Sequence, residues 1–270
     1  MTLERDLTQL FPNVWRLVAS NPSPMTGPGT NTYLVGGRRL VIIDPGPENE
    51  THRESIVAAL QTLQVEPQAI VVTHPHSDHS GGALALSSRL NVPLLSFGHP
   101  LQPDDKINLG DSSLSSFIPH HLPSPEGSAL TILHTPGHIY AHICLWLAES
   151  RLLFAGDLVA GEGTVLIIPP DGDMAAYLES LRAMLALAPA AILPGHGPVI
   201  PDPAHLLQAY LDHRLQREQQ VLHWLAQGCT TAAEIAARIY ADLPERLGIA
   251  TLQVEAHLEK LRKEGRIMSF

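Results

Sequence analysis

The sequence predicts an α/β protein, and three observations point there. Short apolar runs rich in Val, Ile and Leu recur through residues 1–198, among them Val41-Ile42-Ile43, Ala69-Ile70-Val71-Val72 and Ala191-Ile192-Leu193; their length and branching suit buried strands. Between them lie segments with apolar residues at helical spacing, such as Ile56, Val57, Leu60 and Leu63, or Met174, Tyr177, Leu178, Leu181 and Leu185. Several runs also end alike, with a Gly or Pro turning the backbone beside a His or Asp.

In chain order, Val14 to Val18 alternates as a half-buried strand should. Residues 21–30 hold Pro22, Pro24, Pro28, Gly27 and Gly29, so they read as a loop, either a substrate-facing lid or an inert connection. Strands are expected at Tyr33 to Val35 and at Arg39 to Ile43, the latter delivering Asp44. A helix follows over 48–63, then the strand 69–72, and a small-residue helix from Gly81 through Leu90. Val92 to Ser96 is another strand. Residues 98–125 are Pro- and Ser-rich and read as a solvated loop carrying His99, His120 and His121. Strands are expected at 130–133, 141–147, 152–155 and 191–193, with Cys144 as a small buried hydrophobe, and a helix at 173–187. Residues 198–203 break the pattern and divide the chain into domains at 1–198 and 199–270. The second has helices at 204–227, 231–240 and 250–264, with Thr231 and Glu234 spaced as a capping box, and a short strand at 266–270. Three helices and a strand in this length look like a winged-helix module.

The chemistry gathers in Thr73-His74-Pro75-His76-Ser77-Asp78-His79-Ser80-Gly81-Gly82, where four metal-ligand side chains fall within six residues. They follow a strand, and His74 and His76 point the same way on an extended backbone. Downstream, His138 follows Gly137, Asp157 follows Gly156, and His196 follows Gly195. Glycine beside a ligand lets the backbone approach a metal without a Cβ clash. The set divides into three imidazoles (His74, His76, His138) and a mixed group (Asp78, His79, His196), with Asp157 able to bridge them. Such donors suit zinc first, with iron or manganese as alternatives. His142 would share a strand face with His138 but stays outside the set, whose two sites are filled.

The string Thr-His-x-His-x-Asp-His-x-Gly-Gly, followed by Gly-His, Gly-Asp and Gly-His-Gly, resembles the metallo-β-lactamase superfamily. That resemblance implies a four-layer αββα sandwich with a dinuclear site at one edge. It also gives Asp44 a role orienting the site histidines from behind, and makes Asp78 and Asp157 the catalytic carboxylates. Asp157 stands where class B β-lactamases carry cysteine, so antibiotic hydrolysis is not implied. Residues 21–36 and 156–164, Arg214, Arg217 to Gln220 and 257–265 extend the likeness to the β-lactamase-like protein 2 family. That family includes single-strand endoribonucleases, with fungal relatives that release carrier-bound polyketides as thioesterases. Ile139-Tyr140-Ala141 departs from its pattern of Thr and then an acidic or Ser residue after Gly-His.

These readings lead to a two-zinc hydrolase whose metal-bridging hydroxide attacks an ester or thioester, with two ions about 3.5–4 Å apart. A single-strand endoribonuclease is the first alternative and a non-enzymatic winged-helix regulator the second. A glyoxalase II-type thioesterase ranks lower for want of its glutathione-binding residues. Charge favours the acyl substrate, small or carrier-bound, over single-stranded RNA. Residues 1–198 carry nine Lys and Arg against eighteen Asp and Glu, a net of −9, and residues 199–270 carry eight against nine. RNA affinity comes largely from neutralised phosphates, and few basic residues, chiefly Arg214, Arg217, Lys260, Arg262 and Lys263, could supply such contacts. No apolar run approaches the roughly 20 residues of a membrane helix. With no secretory signal visible and two isolated cysteines, the cytoplasm is the expected compartment.

Overall fold

The computed structural model describes residues 7–109, 117–118 (backbone only) and 129–268. His120 and His121 lie outside the described residues. One seven-stranded sheet holds β1 (Thr8–Phe11), β2 (Val14–Val18), β3 (Asn31–Gly36), β4 (Arg39–Ile43), β5 (Glu66–Val71), β6 (Leu94–Phe97) and β7 (Pro100–Leu101), side by side in that order. The other sheet has six strands, β8 (Lys106–Asn108), β9 (Phe117–Ile118), β10 (Ala129–His134), β11 (Ile143–Leu147), β12 (Leu152–Gly156) and β13 (Ala191–Pro194), in the order β13-β12-β11-β10-β8-β9. The helices are α1 (Glu50–Leu63), α2 (Ser77–Ser80), α3 (Ala83–Leu90), α4 (Met174–Leu187), α5 (Pro203–Ala226), α6 (Ala232–Ile239) and α7 (Leu247–Lys263).

Both sheets are mixed, and the parallel pairs matter for function. β4 runs parallel to β5, and β12 to β13. Parallel neighbours bring their carboxyl ends to the same edge, where open α/β sheets bind ligands. Asp44 follows β4, His74 lies just past β5, Asp157 follows β12 and His196 lies just past β13.

The sheets share a core in which Val35, Val41, Ile43, Ala69 and Val71 of the first meet Leu130, Ile132, Leu145, Phe154 and Leu193 of the second. Because side chains alternate along a strand, Leu34, Leu40, Ile42 and Ile70 face the other way, into a cluster with Ile56, Ala59 and Leu60 of α1 and Leu86 of α3. The alternation thus builds two core layers from the same strands.

By contacts the chain forms two compact units that interleave in sequence. The first comprises 1–134, 141–163 and 189–202; the second comprises 135–140, 164–188 and 203–270. Two segments that precede residue 198, one of them carrying His138, group by contacts with the C-terminal helices. In the second unit Val221 of α5, Ile235 and Ala236 of α6, and Val254, Leu258 and Leu261 of α7 form the core. Thr231 caps α6 through the Glu234 amide while Glu234 reaches back to the cap, as the spacing predicts.

Two expectations are corrected. The stretch 98–125, read as a loop, contributes β7, β8 and β9: each has only two or three residues, too few to leave a periodic pattern. The strand expected at 266–270 is not formed over the described residues 266–268, because Arg266 N–H bonds Leu261 O in a turn closing α7. No helix among the described residues is long and apolar enough to cross a membrane.

Candidate metal centre

The centre is built outward from Asp44, which sits at φ 49° with its carboxylate buried. Thr73 donates its backbone N–H to Oδ1 at 2.8 Å and its hydroxyl to Oδ2 at 2.7 Å. His79 donates Nδ1–H to the same Oδ2 at 2.8 Å. With its proton spent on Asp44, Thr73 Oγ1 presents a lone pair to His74 Nδ1, 3.1 Å away. One carboxylate therefore fixes the tautomers of two histidines and leaves the lone pair of each on Nε2.

Those nitrogens converge on other donors. His79 Nε2 lies 3.2 Å from His196 Nε2, and His74 Nε2 lies 3.0 Å from His76 Nδ1. Asp157 turns Oδ1 toward His79 Nε2 (3.3 Å) and His196 Nε2 (3.5 Å), and Oδ2 toward His74 Nε2 (3.9 Å). Asp78 Oδ2 stands 3.3 Å from His196 Nε2 and 3.8 Å from His79 Nε2. Ligand atoms of His74, His79 and Asp157, and again of Asp78, His79 and His196, lie within 4.8 Å of one another.

A metal fits this donor set. His196 donates Nδ1–H to Gly29 O at 3.4 Å, so in the neutral tautomers its Nε2 and that of His79 would meet lone pair to lone pair, a contact that a proton or a metal ion between them relieves. Two nitrogens each about 2.0–2.1 Å from a tetrahedral zinc lie about 3.3 Å apart, close to the separation found. The carboxylates around the histidines favour positive charge here, whether a proton or a metal ion supplies it. Burial pulls the His79 pKa down, but Asp157 and Asp44 outweigh it and hold it well above the ordinary value. Burial pushes Asp157 up, yet His79, His74 and His196 carry it well below the usual carboxylate range. The same holds more weakly for Asp78, where His196 and His79 overcome burial. The backbone is cut to fit as well. A Cβ at Gly195 would stand 2.6 Å from His79 Cε1 and 2.8 Å from Asp157 Oδ1, so only glycine lets the His196 turn come this close.

Several supporting residues escaped the sequence reading. The loop 21–30, read as a lid or an inert connection, is knitted by Asn21, which accepts Thr30 N–H and donates to Thr30 Oγ1. It also supplies Gly29 O to His196. Asn31 donates to Pro194 O and Gly197 O, both at 2.9 Å, and Tyr33 OH donates to Pro194 O; these bonds clamp the His196 turn on both sides. His142 is not on a strand, since β11 begins one residue later. It is fully buried, and its Nε2 accepts the Asp157 backbone N–H at 3.0 Å. Asn and Tyr in strands look like ordinary sheet residues, so only partner distance in space could have exposed them.

His138 belongs to the second unit. Its Nδ1 donates to Leu166 O at 2.8 Å, leaving the lone pair on Nε2. Gly137 before it packs so tightly that a Cβ would meet Tyr177 Cα at 2.3 Å, and Asp173 N–H donates to Gly137 O.

Of the cations considered for phosphate contacts, Lys260 binds Glu218 and Glu264 and Lys263 binds Asp173 and Glu259, whereas Arg262 is exposed and makes no ion pair among the described residues. Arg214 is buried against neutral oxygens, and Arg217 lies over the Tyr240 ring.

Comparison with known proteins accords with this geometry. Residues 25–196 match the family profile described as Metallo-beta-lactamase superfamily, and residues 231–269 match the Beta-lactamase associated winged helix domain. A Beta-lactamase-like protein 2 homolog of Drosophila melanogaster is 34% identical over 99% of this chain and 94% of its own. An Atrochrysone carboxyl ACP thioesterase of Aspergillus chevalieri is 32% identical over 92% of this chain and 80% of its own. A Beta-lactamase domain protein from Burkholderia ambifaria shares the fold, with a TM-score of 0.80 at 19% identity over 97% of this chain and 89% of that one. The expected fold, mixed sheets flanked by helices with a C-terminal winged helix, is the one found. By family match, and by relatives similar over nearly its whole length, the chain belongs to the metallo-β-lactamase superfamily, as a metal-dependent hydrolase.

Proposed function

We propose that this hydrolase holds two divalent ions, zinc by preference, and cleaves an acyl ester or thioester, small or carrier-bound. His74 and His76, with His138 added from its Gly137-His138 motif, hold one ion; Asp78, His79 and His196 hold the other; Asp157 joins them. The observation carrying this reading is the division of Asp157, with Oδ1 toward His79 and His196 and Oδ2 toward His74. Two ions so held supply Lewis-acid polarisation of the scissile carbonyl and a water acidified toward neutral pH. The chain's own residues do the rest. Asp44, through Thr73, keeps the lone pairs of His74 and His79 on Nε2. Asp78, whose side chain is 30% exposed against 16% for Asp157, is assigned as the carboxylate that would take the proton of the attacking water. No Ser or Cys nucleophile is required.

The substrate class rests on two supports. One relative, 32% identical over 92% of this chain, carries the name of an acyl-carrier thioesterase. Residues 1–198 also carry a formal charge of −9, and of the basic side chains of the C-terminal helices Lys260 and Lys263 are tied to Glu and Asp while Arg214 is buried, a poor surface for a polyanion. Catalysis is assigned to residues 1–198 and a supporting role to 199–270. Two free cysteines fit a cytoplasmic location. The test compares kcat/KM for an acyl-thioester and ester panel with that for single-stranded RNA, at low and moderate salt. Thioester turnover that changes little with salt is expected. Efficient RNA cleavage with a steep salt slope and no acyl turnover makes the chain a nuclease instead.

A further inference from the structure

Residues 164–167 form neither helix nor strand, yet their backbone carries a specific burden. Leu166 O is the acceptor for His138 Nδ1–H. A carbonyl in an irregular segment has no ladder to hold it, so its position depends on where its neighbours' polar groups are tied. Two side chains from the C-terminal helices tie them. Arg214 of α5 donates from Nη2 to Val165 O at 2.6 Å and to Thr164 Oγ1 at 2.9 Å. Gln253 of α7 donates from Nε2 to Ile167 O at 2.9 Å and accepts Ile167 N–H at 3.4 Å. Arg214 Nη1 donates to Gln253 Oε1 at 3.1 Å, joining the two clamps. Leu166 is thus gripped through the residue before it and the residue after it.

The grip is costly. Arg214 is 3% exposed and Gln253 6%. Among the described residues no carboxylate pairs with Arg214, and its Nε lacks a partner. Burying a guanidinium against neutral acceptors is a poor way to gain stability alone. The same anchoring recurs on the other side of His138, where Ser180 Oγ donates to Pro136 O and Asp173 N–H to Gly137 O. The loop of His138 and the carbonyl that orients its ring are therefore fixed independently.

We propose that Arg214 and Gln253 are positioning residues for metal binding: through Val165 and Ile167 they hold Leu166 O, and Leu166 O holds the His138 imidazole in the tautomer and orientation that a metal requires. The proposal rests on the assignment of His138 as a ligand. It gives the C-terminal helices a part in the centre that needs no contact with substrate. A partner that orients a ligating histidine contributes about 10–100-fold in metal affinity.

The test uses the full chain with Gln253→Leu, Gln253→Glu and His138→Ala. In metal titrations, Gln253→Leu is expected to weaken one of two sites about 10–100-fold, the same site that His138→Ala removes, and to spare the other. Gln253→Glu, which keeps the Oε1 acceptor for Arg214, should fall between Gln253→Leu and wild type. A second readout needs no metal. In the apo protein the His138 Nδ1 proton, followed by NMR, should be protected from exchange in wild type and exposed in Gln253→Leu. Gln253→Leu with a lowered melting temperature but unchanged affinity at both sites and an unchanged His138 proton overturns the proposal. If wild type binds no metal, the assignment of function falls, and the apo NMR measurement still decides whether the clamp holds the ring.

Discussion

In the first unit His79 and His196 turn two lone-pair nitrogens toward each other at 3.2 Å, with a buried carboxylate beside them. In the second unit Arg214 turns both terminal nitrogens onto carbonyl, hydroxyl and amide oxygens, and its neighbour Gln253 is equally occupied. Both clusters are buried and polar, but the second matches its donors to acceptors, whereas the first gathers imidazoles and carboxylates that call for added positive charge. A polar cluster whose donors and acceptors match is scaffolding; one whose acceptors face acceptors is a binding site. The contrast makes the first cluster a matter of turnover and metal, and the second a matter of stability and alignment.

The largest effect should come from the residue that joins the two histidine groups. Asp157→Ala is expected to lower kcat/KM on the best acyl substrate by about 10³-fold or more, the loss of several kcal/mol of charge stabilisation. A variant within tenfold of wild type removes Asp157 from the reaction. Asp44→Asn tests the layer behind. It takes the charge from the oxygen that receives His79 Nδ1–H, and metal affinity should drop about 10–100-fold, as measured by competition with a chelating dye.

The second cluster should answer to pH instead. Burial, followed by the charges of Arg214, Lys260 and Arg217, pushes His257 down to about 3. A histidine with a depressed folded pKa binds fewer protons folded than unfolded over the interval between the two values. Its neutral form therefore favours folding above pH of about 6.5, and that stability is lost as pH falls toward 3. The slope is about 1.4 kcal/mol per pH unit, so from pH 6.5 to 5 the urea midpoint should fall by the equivalent of about 2 kcal/mol. His257→Leu should flatten this dependence, and an unchanged slope denies His257 the role. Smallest of all, Thr231→Ala should cost about 1 kcal/mol of stability through the lost α6 cap and leave kcat/KM untouched, which a denaturation curve and one assay can check.

The two clusters also differ in how far the sequence reveals them. His74, His76, Asp78, His79, Asp157 and His196 each sit beside a strand end with a Gly or Pro to turn the chain, so a local pattern marks them. Parallel pairing of β4 with β5 and of β12 with β13 then gathers what the pattern marks. The supports have no such grammar. Asn31 meets Pro194 O across 163 residues, and Gln253 meets Ile167 across 86; an Asn in a strand or a Gln in a helix gives no local sign of either. His142 hides for another reason. It stands where a strand was expected, and its bond to the Asp157 amide depends on Gly156 bending there at φ 47°. The C-terminal strand was expected over residues 266–270, but after α7 the chain turns back on Leu261 instead.

We propose that Asp157 joins two groups of ligands into one two-metal centre. Counting metal per chain by mass spectrometry, after reconstitution with zinc, iron or manganese and removal of loosely held ions, tests it most directly. Two ions are expected in wild type and fewer than two tightly held in Asp157→Ala. Two ions retained by Asp157→Ala at wild-type affinity, or none in wild type with any of the three metals, would contradict it.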